Sequence, residues 1–462
     1  MAGRIIVKFR DGMSAASRLA AVTAVSRTAS IPARPSYANF DVARIDPGQD
    51  SELVAAALRR RPDVEYAQAP YRVQARMVPT DQYYSRYQWN FPLIDLERAW
   101  DIQPAAASSI VVAVLDTGVA FQDRVVRFNA SAFTDDAGVF HSALGTIDVP
   151  FSAATDLNSP GRFVAPHDFI WNDDSPLDLD GHGTHVSGTL GQLTNNNGFG
   201  TAGVAFNAKI MPVKILATEW DVIFGAAPEV GGSDDDVARG IRYAADNGAK
   251  IINMSIGQSG PANCGVNPNQ DGCAPAIEDA IKYAVGKGVF VAIAGGNDFQ
   301  NGNPTEVLAD IASRVPGAVS VAAVDRAKNR AYYSGTGSWV ELAAPGGSDQ
   351  GFGVEGLILQ QTLDGHLGFC LVTPRACGVA PSLDRPRFDS LGFFFYAGTS
   401  MATPHVAGVA AMLMQQGITN PAAIEAALER FATDLGPPGR DSSFGFGLVE
   451  ARNTLRGLGL AQ

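Results

Sequence analysis

Four short apolar runs constrain this chain more than any other feature. They are Ile110–Leu115, Ile210–Leu216, Lys250–Met254 and Val289–Ala294, with Gly, Asp or Asn near their ends. Runs that are apolar on both faces are the buried strands of a parallel sheet. Between them lie stretches with helical spacing: His182–Leu193, Asp234–Asn247, Ala276–Lys287 and Ser400–Gln416. Strand alternating with helix predicts an α/β fold, a mostly parallel central sheet with helices on both faces. In such a sheet, ligands bind outside the carboxyl ends of the strands. The residues that follow the runs are Asp116-Thr117-Gly118, Ser255-Ile256-Gly257 and Gly295-Gly296-Asn297, so polar and glycine residues gather at one edge.

The beginning of the chain has a different pattern. Arg4–Phe9, Asn39–Ile45 and Asp63–Ala67 are strand-like, while Ser14–Val25 and Ser51–Arg60 are helical, the second with Ser51 as N-cap. The order β, α, β, α, β predicts a small α+β domain, ferredoxin-like, with helices on one face of an antiparallel sheet. It occupies residues 1–76. Tyr71–Tyr84 is polar and without periodicity, which makes 77–84 a linker and a candidate cleavage site. Residues 85–462 form the larger domain, interrupted at about 346–397 by a Gly-rich insertion expected to be a surface excursion.

Composition narrows the partners. The formal net charge is −12, which opposes a broad phosphate-binding face and argues against nucleic acid. No apolar run approaches the roughly 18 residues of a membrane span, and a monomer is expected. Arg4-Ile5-Ile6-Val7-Lys8-Phe9 reads as a strand rather than a signal peptide's apolar core, so either the protein is cytoplasmic or a signal was removed ahead of Met1. The cysteines favour export: Cys264 with Cys273 and Cys370 with Cys377 form two local pairs, which suit loop-closing disulfides. Four reduced thiols are the alternative. The pairs lack the Cys-x-x-Cys spacing of a zinc site.

Three segments carry chemistry. Val114-Leu115-Asp116-Thr117-Gly118 places a lone carboxylate at a strand end. Asp180-Gly181-His182-Gly183-Thr184-His185 starts a helix with histidine. Gly398-Thr399-Ser400-Met401-Ala402-Thr403-Pro404-His405 puts serine in a helix's first turn. A hydroxyl nucleophile needs a base, and the base needs a buried carboxylate to fix its tautomer. Singly, Asp116 is a turn former, Ser400 an N-cap and Asn297 a turn residue. Their combination, in the order acid, base, nucleophile, excludes the α/β-hydrolase order.

These segments, with Ala294-Gly295-Gly296-Asn297 and the closing Phe444-Gly445-Phe446-Gly447-Leu448-Val449, resemble the signature blocks of the subtilisin-like serine proteases. The likeness extends over most of residues 85–455. It implies a serine endopeptidase acting on proteins or peptides through an acyl-enzyme. Asp116 is then the orienting acid, His182 the base, Ser400 the nucleophile and Asn297 the side-chain donor to the oxyanion. Ser255, Ile256 and Gly257 match the segment that holds substrate as an added strand, and Gly295 and Gly296 the wall of the primary specificity pocket. Asp298 favours basic residues if it faces that pocket, and has no such effect if it points to solvent.

The resemblance also implies calcium. Asn195-Asn196-Asn197-Gly198-Phe199-Gly200-Thr201 matches the family's calcium loop, with Asn197 as side-chain ligand and Asp123 as the carboxylate from elsewhere. Asp173, Asp174, Asp178 and Asp180 form either a second ion site or a solvated acidic loop. His185 and His405 are expected to be structural, and His141, His167 and His366 to lie on the surface. The amino-terminal unit resembles the family's propeptide, which assists folding and then acts as intramolecular inhibitor until cut, here between Gln74 and Asp81. An intracellular subtilase with a processing role and a non-catalytic binding protein are the rival readings.

Overall fold

The computed structural model describes residues 3–71, 77–134, 140–196, 198–262, 264–364 and 386–459. The chain divides into two compact units, Met1–Arg76 with Arg456–Gln462, and Met77–Leu455.

The first unit contains β1 (Arg4–Phe9), α1 (Ala15–Thr23), β2 (Asp41–Arg44), α2 (Ser51–Arg59) and β3 (Val64–Gln68). The strands form an antiparallel sheet in the order β2-β1-β3. Ile5, Val7 and Phe9 alternate along β1 and share one buried cluster with Val22, Val54 and Leu58, so both helices cover the same face. Ser30 adds one antiparallel bridge to Arg44 on the outer side of β2. The helix cap differs from expectation. Asp50, not Ser51, is the N-cap of α2, its carboxylate accepting the Glu52 N–H, because an N-cap must keep extended dihedrals while Ser51 is already helical.

In the second unit the sheet strands are β4 (Val111–Asp116), β5 (His167–Asp168), β6 (Lys209–Lys214), β7 (Ile251–Met254), β8 (Phe290–Ala294), β9 (Ala318–Val324) and β10 (Leu342–Pro345). They run in the order β10-β9-β8-β7-β4-β6-β5, every pair parallel. The apolar runs are thus four of seven strands. Of the others, His167–Asp168 and Leu342–Pro345 are short, whereas Ala318–Val324 is a further apolar run that the sequence reading passed over.

Ala113, Leu115, Met211, Val213, Ile252, Met254, Val291 and Ile293 belong to one cluster with α4 (Asp234–Asp246) and α5 (Pro275–Gly286). The alternate residues of the same strands point to the opposite face, where α6 (Thr399–Gln415) lies along β7, β8, β9 and β10 and beside α3 (His182–Gly191). Helices therefore cover both faces. Among the described residues, no helix is long and apolar enough to cross a membrane.

In the described part of 346–397, residues 349–354 are exposed and 358–363 buried, so the insertion is not a surface excursion throughout. Strands β11 (Ile358–Leu363) and β12 (Leu391–Tyr396) pair antiparallel, and all of β11 is buried. This hairpin packs against α3. Cys370, Cys377 and His366 lie outside the described residues. Cys264 and Cys273 form a disulfide.

Candidate active site

Asp116 ends β4 with its side chain 1% exposed. Its Oδ1 accepts from His182 Nδ1 at 2.7 Å and from the Thr117 N–H at 2.8 Å. His182 opens α3 and is 26% exposed. Two glycines permit this approach. A Cβ on Gly183 would lie 2.2 Å from the Gly118 carbonyl oxygen and 3.1 Å from Asp116 Cβ, and Gly118 itself has φ +111, a conformation that L side chains rarely adopt.

The acidic group ahead of His182 serves the turn. Asp178, 1% exposed, accepts from Thr117 Oγ1, the Asp180, Gly181 and Thr184 N–H groups and Thr184 Oγ1. Asp180 accepts the His182 N–H, and Asp173 and Asp174 bond to Ser175 and His167. Burial works against the His182 imidazolium, but Asp116, with Asp180 and Asp178 beyond it, overcomes that penalty and raises His182 to about 9.

His185 and His405 are buried and neutral. Burial pushes His185 down to about 3 and His405 to about 4. His185 donates through Nε2 to the carbonyls of Ile358 and Phe394 and stacks on Tyr396 at 4.3 Å, so the hairpin braces α3. His405 donates through Nδ1 to the Met401 carbonyl and accepts from Asn90 through Nε2. His141 is half-buried and stacked on Phe133 at 4.7 Å, which corrects its expected surface position. His167 is also half-buried, stacked on Tyr243 at 4.6 Å, which corrects its expected surface position.

Ser400 sits in the first turn of α6, where backbone N–H groups lack intrahelical acceptors. Its Oγ donates to the Ser255 carbonyl at 3.1 Å, and Ser255 Oγ donates to the Ser400 carbonyl at 2.8 Å. Asn297 Oδ1 accepts from Thr399 N and Oγ1, and a Cβ on Gly398 would lie 3.6 Å from its Nδ2. A cavity of about 150 Å³ is lined by Ser400, Asn297, Ile256, Gly257, Gly296 and Asp298, among others. A second, of about 300 Å³, is lined by His182, Ser255, Ile256 and Gly257 with Leu216 and Trp220. Ile256 and Gly257 border both. Gly295 is not in the smaller cavity's wall; a Cβ there would meet the Val321 carbonyl at 2.9 Å. Glu306, which carries no motif, is in that wall.

The loop at 195–201 attracts carboxylates other than the one expected. Asp123 accepts the Ala153 N–H, and Asn197 lies outside the described residues. Instead, Asp156 accepts from Asn196 Nδ2 and the Thr201 N–H, and Asp81 accepts the Asn195 N–H. Among the described residues, Asn196 Oδ1 is buried without a partner. Gly200 (φ +74) is obligatory, since a Cβ would lie 1.9 Å from Asp156 Oδ2. Burial pushes Asp156 up to about 7 and raises Asp81 as well. Elsewhere, Glu341, Glu425 and Glu429 bring one oxygen each within 4.8 Å of one another and offer a cluster able to hold a metal ion.

Residues 107–447 match the Subtilase family, and residues 1–69 match the fervidolysin N-terminal prodomain. The chain is 29% identical over 453 residues to the thermophilic serine proteinase of a Bacillus species, covering 98% of this chain and 87% of that one. It is 29% identical over 487 residues to an extracellular protease of Xanthomonas campestris, covering 97% and 71%. A solved protease from Pseudoalteromonas arctica superposes with a TM-score of 0.58 at 29% identity, covering 83% of this chain and 99% of that one. With its cleft at the carboxyl edge of a parallel sheet and a family match across most of its length, the chain belongs to the subtilase family of serine proteases and carries an N-terminal prodomain.

Proposed function

We propose that this subtilase hydrolyses peptide bonds with Asp116, His182 and Ser400 as acid, base and nucleophile. The observation that supports the reading is that two pairs line adjoining cavities which share Ile256 and Gly257. Asp116 holds His182 Nδ1–H, which leaves Nε2 as the acceptor, and Ser400 and Asn297 line the adjoining cavity across Ile256-Gly257. His182 Nε2 takes the Ser400 Oγ proton as Oγ bonds to the substrate carbonyl carbon. The oxyanion receives hydrogen bonds from Asn297 Nδ2–H and the Ser400 N–H. The imidazolium then gives its proton to the departing amine, leaving an ester on Ser400. Water, deprotonated by the same imidazole, cleaves that ester and restores Ser400. Ser255-Ile256-Gly257 pairs with the substrate backbone as an added strand.

The amino-terminal unit is the propeptide, spanning 1–76, with 77–84 as linker and the cut between Gln74 and Asp81. Its ferredoxin-like character is supported by the Ser30–Arg44 bridge, which stands where a fourth strand would complete the sheet outside β2. Export is supported by the Cys264–Cys273 disulfide and by the extracellular relative.

Calcium is supported by the oxygen-only set at 195–201. Asp156, Asp81 and Asn196 would hold it, where a hard cation offsets the cost of two buried carboxylates. Its chemistry there is structural.

The test is intact mass after incubation, with and without a fluorophosphonate, for wild type and Ser400→Ala. Wild type should lose its first 74–80 residues and gain one adduct, and the variant should do neither. A variant that matures unaided, or a wild type freed of its propeptide that stays unlabelled, contradicts the assignment.

A further inference from the structure

Glu306 belongs to no motif, yet its carboxyl group forms part of the cavity beside Ser400. It is 5% exposed and is carried there by a two-residue antiparallel ladder in which Ser259 pairs with Glu306 and Gly260 with Thr305. The Gln258 N–H bonds to its Oε1. Its Oε2 faces the two glycines of the wall: a Cβ on Gly257 would lie 2.8 Å from it, and one on Gly296 3.0 Å. Glycine at both positions leaves the cavity open onto the carboxylate. A methyl group at either would crowd it.

Asp298 lines the same cavity, held by Asn301 Nδ2 at 2.9 Å and Ser259 Oγ at 3.3 Å. Among the described residues, no ion pair engages Glu306. Arg330, a cation of the neighbouring segment, stacks on Phe299 at 3.6 Å and donates to the Ala331 and Ser334 carbonyls. A buried carboxylate without a cation is costly and rises in pKa. Burial, with Asp298 adding to it, pushes Glu306 up to about 7, against the pull of the Gln258 and Leu308 N–H groups.

We infer that this cavity receives the side chain preceding the scissile bond and selects lysine or arginine, with Glu306 at its base and Asp298 beside it as the charge partners. The inference rests on the proteolytic reading above. An entering ammonium or guanidinium group would supply the opposite charge that Glu306 lacks. An aromatic or aliphatic side chain would bury the carboxylate further without satisfying it.

The experiment uses the full chain after incubation, with active sites counted by fluorophosphonate labelling. It compares peptide amides that differ only in the residue before the scissile bond: Lys, Arg, Phe, Leu, Gln and Glu. Lys and Arg should exceed Phe and Leu in kcat/KM by roughly 10- to 100-fold, the range of a charge-assisted contact. Glu306→Gln should erase that preference, and Asp298→Asn, on the rim, should reduce it if the first variant fails to fold. Labelled wild type that prefers Phe or Leu overturns the inference and leaves the protease reading intact. A preference for Lys and Arg that survives both substitutions overturns the assignment to these carboxylates. An enzyme that neither labels nor cleaves after its propeptide is removed refutes the protease reading, and this inference with it.

Discussion

Asn297 Oδ1 accepts two hydrogen bonds from Thr399, from its backbone N–H at 2.9 Å and from its hydroxyl at 3.0 Å. The residue before Ser400 thereby fixes which way the Asn297 amide faces. A donor aimed in advance need not reorganise as charge develops on the substrate oxygen. Asn297→Ala should lower kcat by about 10²- to 10³-fold with little change in KM. Thr399→Val, which keeps the backbone bond and removes the hydroxyl, should cost about tenfold. Steady-state kinetics on a peptide amide decide. A rise in KM at unchanged kcat would place both residues in ground-state binding instead.

The His182–Asp116 pair predicts the pH profile. A base raised above its ordinary value is protonated, and inactive, up to that higher pH. The acid limb of kcat/KM should therefore fall as pH drops through a value above 6.5 and toward 9. Asp116→Asn removes the charge that sustains the shift. It should move the limb to lower pH and cut kcat by about 10⁴-fold through loss of the correct tautomer. A limb at the same pH in both proteins would mean that another group controls it.

Asp156 predicts how metal and pH combine. Its pKa in the folded chain, about 7, exceeds the ordinary aspartate value of 3.8. Between those values the folded state binds more protons than the unfolded state, so this group makes the chelated protein less stable as pH rises through the interval. Calcium would oppose that loss by binding the ionised form. The melting-temperature difference between calcium and chelator should be largest above pH 7 and shrink below it, and Asp156→Asn should reduce it. Melting curves of Ser400→Ala, which avoid autolysis, would show this. A difference independent of pH would separate the metal from Asp156.

The Cys264–Cys273 disulfide closes a short loop, with a sequence separation of 9. Replacing both with serine should cost about 2–3 kcal/mol through the entropy regained by the unfolded chain. Denaturant unfolding of Ser400→Ala with and without the pair measures it. An unchanged midpoint would mean that the loop is fixed by its packing alone.

The parts of the site that follow directly from local pattern were legible in the sequence. A buried strand must end where polar residues begin, so Asp116, Ser255 and Asn297 could be placed at one edge from the apolar runs that precede them. The helix start at His182 and the first-turn position of Ser400 are equally local, set by glycine and small polar residues ahead of helical spacing. Glu306, Asp156 and the β11–β12 hairpin had no such signal. Neither Glu306 nor Asp156 belongs to an apolar run or a motif, the hairpin lies within the Gly-rich insertion, and Asp123 is indicated only by the family resemblance.

By itself, then, the sequence determined the alternation of strands and helices and the chemical groups at the strand ends, because periodicity and chain order act over a few residues. Tertiary structure decided which distant carboxylates face the cavity and the 195–201 loop, and which segment braces His185. Those choices depend on long-range packing: the Ser259–Glu306 ladder brings in Glu306, the missing Cβ of Gly200 admits Asp156, and the carbonyls of Ile358 and Phe394 find their donor in a histidine far away in the chain. A buried charge or unpaired carbonyl must be satisfied by whichever group the fold delivers, and that group is fixed by three-dimensional closure rather than by its neighbours in sequence.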